Sequence, residues 1–246
     1  MIDTHAHLTT LEDPAAAIER AAAAGVERIL TVGTDVDDGR RALELAEKHE
    51  AVYAILGIHP HEAGTATDDD LARLRELIAH PKAVAVGETG LDWFRDYAPR
   101  DAQRRLFAAE LELAAELGTP AVIHTRAADE DTLAELAGFD GTVVLHCFSS
   151  PHLLPVALER GWYVSFAGNV SFPKAVDLRL AASQVPADRL LAETDTPYLA
   201  PQPVRGKRNE PAYVVHTLAA LADARGEDAS EIEAQIERNA AQCFSL

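Results

Sequence analysis

The chain has 246 residues, of which 48% are hydrophobic and 25% charged, and its formal net charge is −18. The length is close to the roughly 250 residues of a single α/β barrel, so we expect one domain over residues 1–246. The acidic balance argues against broad electrostatic binding of nucleic acid, because neutralising phosphates requires a basic surface.

Signals for disulfides, membranes and export are weak in this sequence. Two cysteines, Cys147 and Cys243, do not make a disulfide framework. No segment approaches the roughly 18 apolar residues of a membrane span. The first residues, Met1–Leu8, lack the basic and apolar regions of a signal peptide. We therefore expect a cytoplasmic protein with no membrane contact and no obligate protein partner.

Short apolar runs alternate with amphipathic stretches along the chain. The runs are rich in valine, isoleucine and leucine, as in strands buried on both faces of a parallel sheet. The predicted strands are Ile2–Thr4, Arg28–Val32, Val52–Leu56, Ala83–Gly87, Ala121–Ile123, Thr142–Leu145, Tyr163–Phe166 and Leu190–Ala192.

Helix signals stand between these runs. An N-cap followed by a first-turn proline predicts a helix from Asp13-Pro14, and Gly118 is predicted to end another. Capping boxes are predicted at Thr67-x-x-Asp70 and Ser230-x-x-Glu233. Eight such repeats without a long polar linker predict an α/β fold of the (β/α)8 TIM barrel type. An open doubly wound sheet would need a glycine-rich phosphate turn after the first strand, where this chain has His5-Ala6-His7.

Residues with metal-ligand chemistry stand at the ends of five predicted strands. They are His5, His7, Glu88, His124, His146 and Asp195. The C-terminal strand ends of a barrel converge on one mouth, so we expect these side chains to meet there. His5 and His7 are two residues apart on an extended strand and point to the same side. A lone His-x-His motif has little specificity, but six such residues in barrel order are hard to explain as ordinary core or surface side chains.

Four histidines and two carboxylates exceed the needs of one tetrahedral ion. The surplus favours two divalent cations about 3.5–4 Å apart that share a carboxylate. Imidazole ligands favour zinc or manganese over magnesium.

Several segments are similar to successive motifs of the TatD family of DNases. They are Asp3–Leu8, Gly57–His61, Gly87–Asp92, His146–Ser149, Glu193–Leu199 and Arg205–Pro211. The resemblance implies a metallo-dependent hydrolase barrel that cleaves phosphodiester bonds in DNA with divalent cations. It also places the family's metal ligands on the same six residues.

The chain departs from the family pattern near the substrate rim. The family commonly has isoleucine at the position of Thr89 and glycine at that of Ser150. The segment Leu8–Pro14 is short and lacks an expected aromatic residue. None of these departures removes a ligand.

Two residues are expected to be catalytic. Asp195 would orient a water molecule and accept its proton as general base, and Glu88 would bridge the two metals. The alternative for Asp195 is a structural N-cap before Thr196-Pro197.

Phosphate contacts are expected from residues near the same mouth, namely His59, Arg126, Arg205, Lys207 and Arg208. Arginine presents a bidentate fork to phosphate oxygens. The alternative for the cluster between Arg205 and Arg208 is a solvated loop that pairs with acids such as Glu210. Three nearby aromatic residues, Trp93, Phe94 and Tyr198, could stack on bases or simply pack within their loops.

The predicted function is a TatD-like deoxyribonuclease, an exonuclease on single strands or frayed ends. The same constellation would also suit a barrel hydrolase acting on another ester, an amide, a lactone, RNA or an aminoacyl-tRNA bond, because metals polarise carbonyl as well as phosphoryl groups. A metal-bound scaffold without activity is the remaining alternative. We disfavour it because a degenerate enzyme should have lost a ligand.

Overall fold

Eight strands and nine helices follow one another in the computed structural model, which describes all 246 residues. The strands are β1 (Ile2–Ala6), β2 (Arg28–Gly33), β3 (Val52–Leu56), β4 (Ala83–Asp92), β5 (Ala121–Arg126), β6 (Val143–Leu145), β7 (Tyr163–Phe166) and β8 (Leu190–Ala192). The helices are α1 (Pro14–Ala23), α2 (Val36–Lys48), α3 (Asp68–Ile78), α4 (Arg100–Leu117), α5 (Asp129–Leu136), α6 (Leu154–Arg160), α7 (Val176–Gln184), α8 (Val214–Arg225) and α9 (Ala229–Phe244). None of the helices has both the length and the apolar character needed to cross a membrane.

The strands form one eight-stranded sheet in the order β1 to β8, with parallel pairing. Ala6 at the end of β1 also makes a parallel bridge with Thr196, which follows β8. This bridge brings the segment after the last strand back to the first. The predicted (β/α)8 barrel is therefore confirmed.

The chain packs as two compact units. The first comprises Met1–Thr31 and His146–Leu246, and the second comprises Val32–Leu145. In the first unit the largest fully buried side chains are Ile2, Leu8, Ile29, Leu30 and Phe166, and in the second they are Ile55, Leu56, Leu74, Leu91, Phe107, Ile123 and Leu136. Burying one side chain of this size contributes about 1.5–3 kcal/mol. The single domain over residues 1–246 stays a prediction.

Helix ends follow the predicted signals in all but one case. Thr67 and Asp70 form the capping box of α3, and Gly118 ends α4 in the left-handed conformation at φ 64°. The box predicted at Ser230 is wrong. Asp228 is the N-cap of α9 and accepts from the Ser230 amide at 2.8 Å, while the Ser230 hydroxyl donates to the same carboxylate oxygen. The earlier carboxylate thus takes the capping role and uses serine as a donor.

Four strands run past their predicted ends, and three of these extensions place His5, Glu88 and His124 within strands and not after them. β4 and β5 stay paired as far as Asp92 and Arg126, beyond a register shift between Gly87 and Thr89. Gly87 has φ 150°, and a Cβ there would lie 2.7 Å from the Val122 carbonyl oxygen, so glycine is required. Glu88 therefore sits at a strand irregularity, a feature that is common beside active sites.

Candidate metal centres

Four of the predicted ligands come together in the first unit, and we call His5, His7, His146 and Asp195 the first cluster. The rings of His5 and His146 are stacked with centroids 3.9 Å apart, and those of His5 and His7 are 5.1 Å apart. Ligand atoms of His5, His146 and Asp195 lie within 4.8 Å of one another. All four side chains are buried. Imidazole and carboxylate donors this close together match a divalent transition-metal site.

Backbone hydrogen bonds hold this cluster in place. The Asp195 amide donates to the His5 carbonyl at 2.9 Å, and the His7 amide donates to the Thr196 carbonyl at 2.8 Å. Asp195 adopts φ 56°, a left-handed conformation that aspartate tolerates better than most residues. The end of β1 and the segment after β8 thus present their side chains from a fixed backbone.

The Asp195 carboxylate is ionised at neutral pH. Burial raises its pKa, but the hydrogen bond with His7 and the charges of His146, His7 and His5 outweigh burial and place the pKa below its usual range. His7 Nε2 lies 3.5 Å from Asp195 Oδ1, and Cys147 Sγ lies 3.7 Å from Oδ2. No helix begins at Thr196-Pro197, so the N-cap interpretation of Asp195 is wrong.

Glu193 supports the first cluster from the interior, and the sequence interpretation missed this role. Its carboxylate accepts from His146 Nδ1 at 3.1 Å, from the Cys147 amide at 2.8 Å and from the Ser165 hydroxyl. A carboxylate on Nδ1 fixes the tautomer in which Nε2 is the metal-ligating atom. The sequence offered one signal for this role: Glu193 lies two residues before Asp195, directly after β8.

Asp3 fastens the start of the same region. It is fully buried and accepts from the Thr194 amide at 2.9 Å and from the Thr194 hydroxyl at 2.6 Å. Burial raises its pKa to about 8 against these hydrogen bonds. Asp3 therefore ties β1 to the backbone between Glu193 and Asp195.

The second unit contains a second cluster, made of His59, Glu88 and His124. Their ligand atoms lie within 4.8 Å of one another. His124 Nδ1 lies 2.6 Å from Glu88 Oε1, and His59 Nε2 lies 3.5 Å from the same oxygen. Glu88 and His124 are thus brought together as predicted ligands. His59, predicted as a phosphate contact, lies beside them.

Burial lowers the pKa of His59 to about 4, although Glu88 opposes this shift. A neutral imidazole suits metal ligation or a hydrogen bond to phosphate, but it supplies no positive charge. The phosphate contact of His59 stays a prediction.

Asp92 orients the histidines of the second unit and was also missed. Its Oδ2 lies 2.8 Å from His61 Nε2 and 3.2 Å from His124 Nε2, while Oδ1 accepts from the amides of Phe94 and Arg95. Burial opposes ionisation of Asp92, but the hydrogen bonds from His124, the Arg95 amide and His61 outweigh it and hold the pKa well below its usual range. Asp92 is therefore an anion that fixes both rings and the start of the following loop.

Glu110 on α4 is a second buried carboxyl group behind this cluster. The Ile58 amide donates to its Oε1 at 2.7 Å, and the Thr89 hydroxyl donates to its Oε2 at 2.6 Å. Burial raises the pKa of Glu110 to about 8. Glu110 thereby links the residue before His59 to the residue after Glu88.

The predicted phosphate contacts are all at least partly exposed, apart from His59, but most already have protein partners. Arg126 lies over the Phe94 ring at 4.1 Å, and Arg205 lies over the Phe172 ring at 3.8 Å. The guanidinium of Arg208 donates to the Thr10 carbonyl at 2.6 Å. Lys207 is exposed in the same loop as Arg205. Their contacts with phosphate stay predictions.

The acid expected to pair with the basic loop has another partner. Glu210 accepts from Arg20, with Nη2 2.6 Å from Oε2. Pairing of Glu210 with the loop from Arg205 to Arg208 is therefore not the explanation for that loop's charge.

Comparison with known proteins gives full-length similarities. The model of the TatD-related DNase family matches residues 2–245. The uncharacterized metal-dependent hydrolase YabD of Bacillus subtilis is 40% identical, over 100% of this chain and 99% of that protein. The 3'-5' ssDNA/RNA exonuclease TatD of Enterobacter lignolyticus is 36% identical, over 100% and 99%. The crystal structure of YJJV, a TatD homolog from Escherichia coli K12, superposes with a TM-score of 0.94 at 31% identity, covering 100% of this chain and 98% of that one.

Proposed function

Because the chain belongs to the TatD-related DNase family, we propose that it is a divalent-metal-dependent hydrolase that cleaves phosphodiester bonds in DNA. The observation that carries the proposal is the pair of clusters, each combining imidazoles with a carboxylate and buried except for the half-buried His124. We propose an exonuclease on single strands or frayed ends. A relative named as a 3'-5' ssDNA/RNA exonuclease supports this choice and adds RNA as a substrate to compare.

Two divalent cations are proposed as cofactors. His5, His7, His146 and Asp195 would hold one, and Glu88 and His124 would hold the other, with zinc or manganese favoured over magnesium. When bound, such cations neutralise charge on a scissile phosphate and lower the pKa of water. That Glu88 is a ligand shared by both cations stays a prediction. The distance between the two metals, measured by anomalous scattering, checks it.

The chain's own groups supply the proton chemistry and the positioning. Asp195 is ionised, so its carboxylate can accept the proton of an attacking water molecule. Glu193 and Asp92 hold His146 and His124 in defined orientations. His59, Arg126, Arg205, Lys207 and Arg208 are proposed to contact phosphate oxygens.

A substrate panel tests the proposal. Metal-free protein is loaded with Mn²⁺, Zn²⁺ or Mg²⁺ and offered end-labelled single-stranded DNA, frayed duplex, closed circular duplex and RNA. We expect cleavage of single strands that requires metal, stops with EDTA and exceeds that of the closed circle. Equal or faster cleavage of the closed circle would contradict the preference for ends.

Further substrates in the same panel separate the alternatives. Turnover of a lactone, an amide or an aminoacyl ester without phosphodiester cleavage would identify another barrel hydrolase. Full metal occupancy without turnover of any substrate would identify a scaffold. Either outcome would overturn the proposed function.

A further inference from the structure

Two aromatic side chains stand out in the loop that follows β4. Phe94 is 62% exposed and Tyr97 is 65% exposed. They are the exposed large hydrophobic residues of the second unit, and only two residues separate them. Exposing two aromatic rings to water costs free energy, and a loop that only connected β4 to α4 would not need them.

Guanidinium groups alternate with these rings. Arg126 lies 4.1 Å over Phe94, and Arg95 lies 5.9 Å from the Phe94 centroid and 6.0 Å from that of Tyr97. Asp96, the acid within this loop, is 3.4 Å from Arg100. Aromatic faces interleaved with arginines are the chemistry of a single-stranded nucleic acid site, because bases stack on the rings and phosphates pair with the guanidiniums. Arg95 and Arg126 thus place positive charge beside the rings in a chain of net charge −18.

Trp93 is the counter-example in the same segment. Its indole Nε1 donates to Asp131 at 2.7 Å, and Arg100 and Arg104 lie 4.8 and 5.9 Å from its ring centroid. Arg104 is in turn paired with Asp131 at 2.6 Å. The ring of Trp93 is therefore built into the loop's support, whereas Phe94 and Tyr97 are presented outward.

The exposed rings adjoin the second cluster. The Tyr97 ring lies 4.8 Å from the His61 ring, and His61 in turn bonds Asp92, which orients His124. The Phe94 amide donates to the same Asp92 at 2.9 Å. A base stacked on either ring would thus be held within a few side chains of the candidate metal ligands.

We infer that Phe94, Arg95, Tyr97 and Arg126 form a platform on which unpaired bases of a single-stranded nucleic acid stack. The inference rests on the proposed function and specifies how its substrate is held. Stacking reads the π-face that every base has, so the platform would select single strands over duplex without selecting sequence. It also explains how an acidic protein binds a polyanion through a local site.

The test compares Phe94→Ala and Tyr97→Ala with Val176→Ala, which shortens another exposed hydrophobic side chain, 61% exposed. Binding is measured by quenching of 2-aminopurine in a single-stranded oligonucleotide and by competition with an otherwise identical abasic one. We expect binding about 5- to 150-fold weaker for each ring removed. Val176→Ala, Phe94→Trp and Tyr97→Phe should bind as wild type, and the abasic strand should bind wild type and the alanine variants alike.

Cleavage of the abasic oligonucleotide, which has the same phosphodiester bonds but no bases to stack, separates this inference from the proposed function. The alanine variants should keep this cleavage while their KM for the base-containing oligonucleotide rises. If wild type hydrolyses neither substrate, the proposed function fails, and the binding measurements still decide the platform. Wild-type affinity in both alanine variants, equal losses for normal and abasic strands, or no binding by wild type would each overturn the inference.

Discussion

The two clusters use the same device in different surroundings. In each, a buried carboxylate stands behind a histidine: Glu193 behind His146 and Asp92 behind His124. Glu193 takes its other hydrogen bonds from Cys147 and Ser165 inside the fold. Asp92 takes its others from His61 and from the amides that begin the exposed loop.

This difference separates two tasks. The first cluster includes Asp195, a buried carboxylate suited to proton transfer. The second cluster is connected through Asp92 to the loop that bears Phe94 and Tyr97. We therefore expect changes in the first cluster to affect the chemical step, and changes in the second to affect substrate binding as well.

The largest expected effect comes from Asp195→Asn. The amide keeps the shape of the side chain but removes both an anionic ligand and the proton acceptor. Loss of a positioned general base costs about 10²- to 10⁴-fold in rate, and weaker metal binding adds to this. Single-turnover cleavage and metal stoichiometry, measured on the same sample, check it. Asp177→Asn on the exposed side of α7 is the control for the charge change.

Arg208→Ala sharpens this result because it is expected to spare the metals. Its guanidinium donates to the Thr10 carbonyl, which is not part of either cluster. We expect weaker substrate binding with full metal content.

Near-wild-type cleavage by Asp195→Asn at saturating metal would contradict the role of Asp195 as general base. Glu88 would then be the next candidate base.

The orienting carboxylates are expected to have intermediate effects. Glu193→Gln and Asp92→Asn should each reduce metal affinity or activity about 10- to 100-fold, the usual result of removing a partner behind a ligating histidine. Asp92→Asn should in addition weaken oligonucleotide binding, because it loosens the exposed loop. Metal titrations and 2-aminopurine binding on both variants make the comparison. If both variants lost metal affinity and oligonucleotide binding to the same extent, the proposed difference between the two clusters would be wrong.

The barrel and its ligand-type residues were predictable because they depend on local patterns. All eight strands follow from apolar runs, and parallel strands carry their C-terminal residues to one edge. The extension of β4 through Glu88–Asp92 was missed because the segment is mostly polar and contains Gly90. It is held by pairing with β5, which is remote in sequence. Strand propensity alone does not reveal such pairing.

The supporting carboxylates were missed for a related reason. Glu193 and Asp92 lie in motifs that the sequence analysis identified. Their pairing with His146, Ser165 and His61 can be seen only in the folded structure. Glu110 left a fainter signal. It is three residues after Phe107, on the apolar face of α4, where a solvated acid is out of place.

The smallest expected effect on activity, and a distinct one on stability, comes from Glu110→Gln. Glutamine can accept from the Ile58 amide and donate to the Thr89 hydroxyl, so both links are kept. The pKa of Glu110 is raised by burial from 4.5 to about 8. Between these two pKa values the folded protein binds more protons than the unfolded chain. The contribution of Glu110 to the free energy of unfolding therefore falls as the pH rises from 4.5 to about 8. Each unit of pH costs at most about 1.4 kcal/mol.

Urea unfolding of wild type, Glu110→Gln and Glu112→Gln between pH 5 and pH 8 checks the effect, and Glu112 is an exposed neighbour on the same helix. Every other titratable group is common to the proteins compared, so its contribution cancels in the differences. We expect the stability of Glu110→Gln relative to wild type to increase toward pH 8, and that of Glu112→Gln to stay level. A Glu110→Gln difference that is also level would mean that Glu110 is ionised in the folded state. The link between Ile58 and Thr89 would then pass through a charged carboxylate, and glutamine should impair the second cluster instead of sparing it.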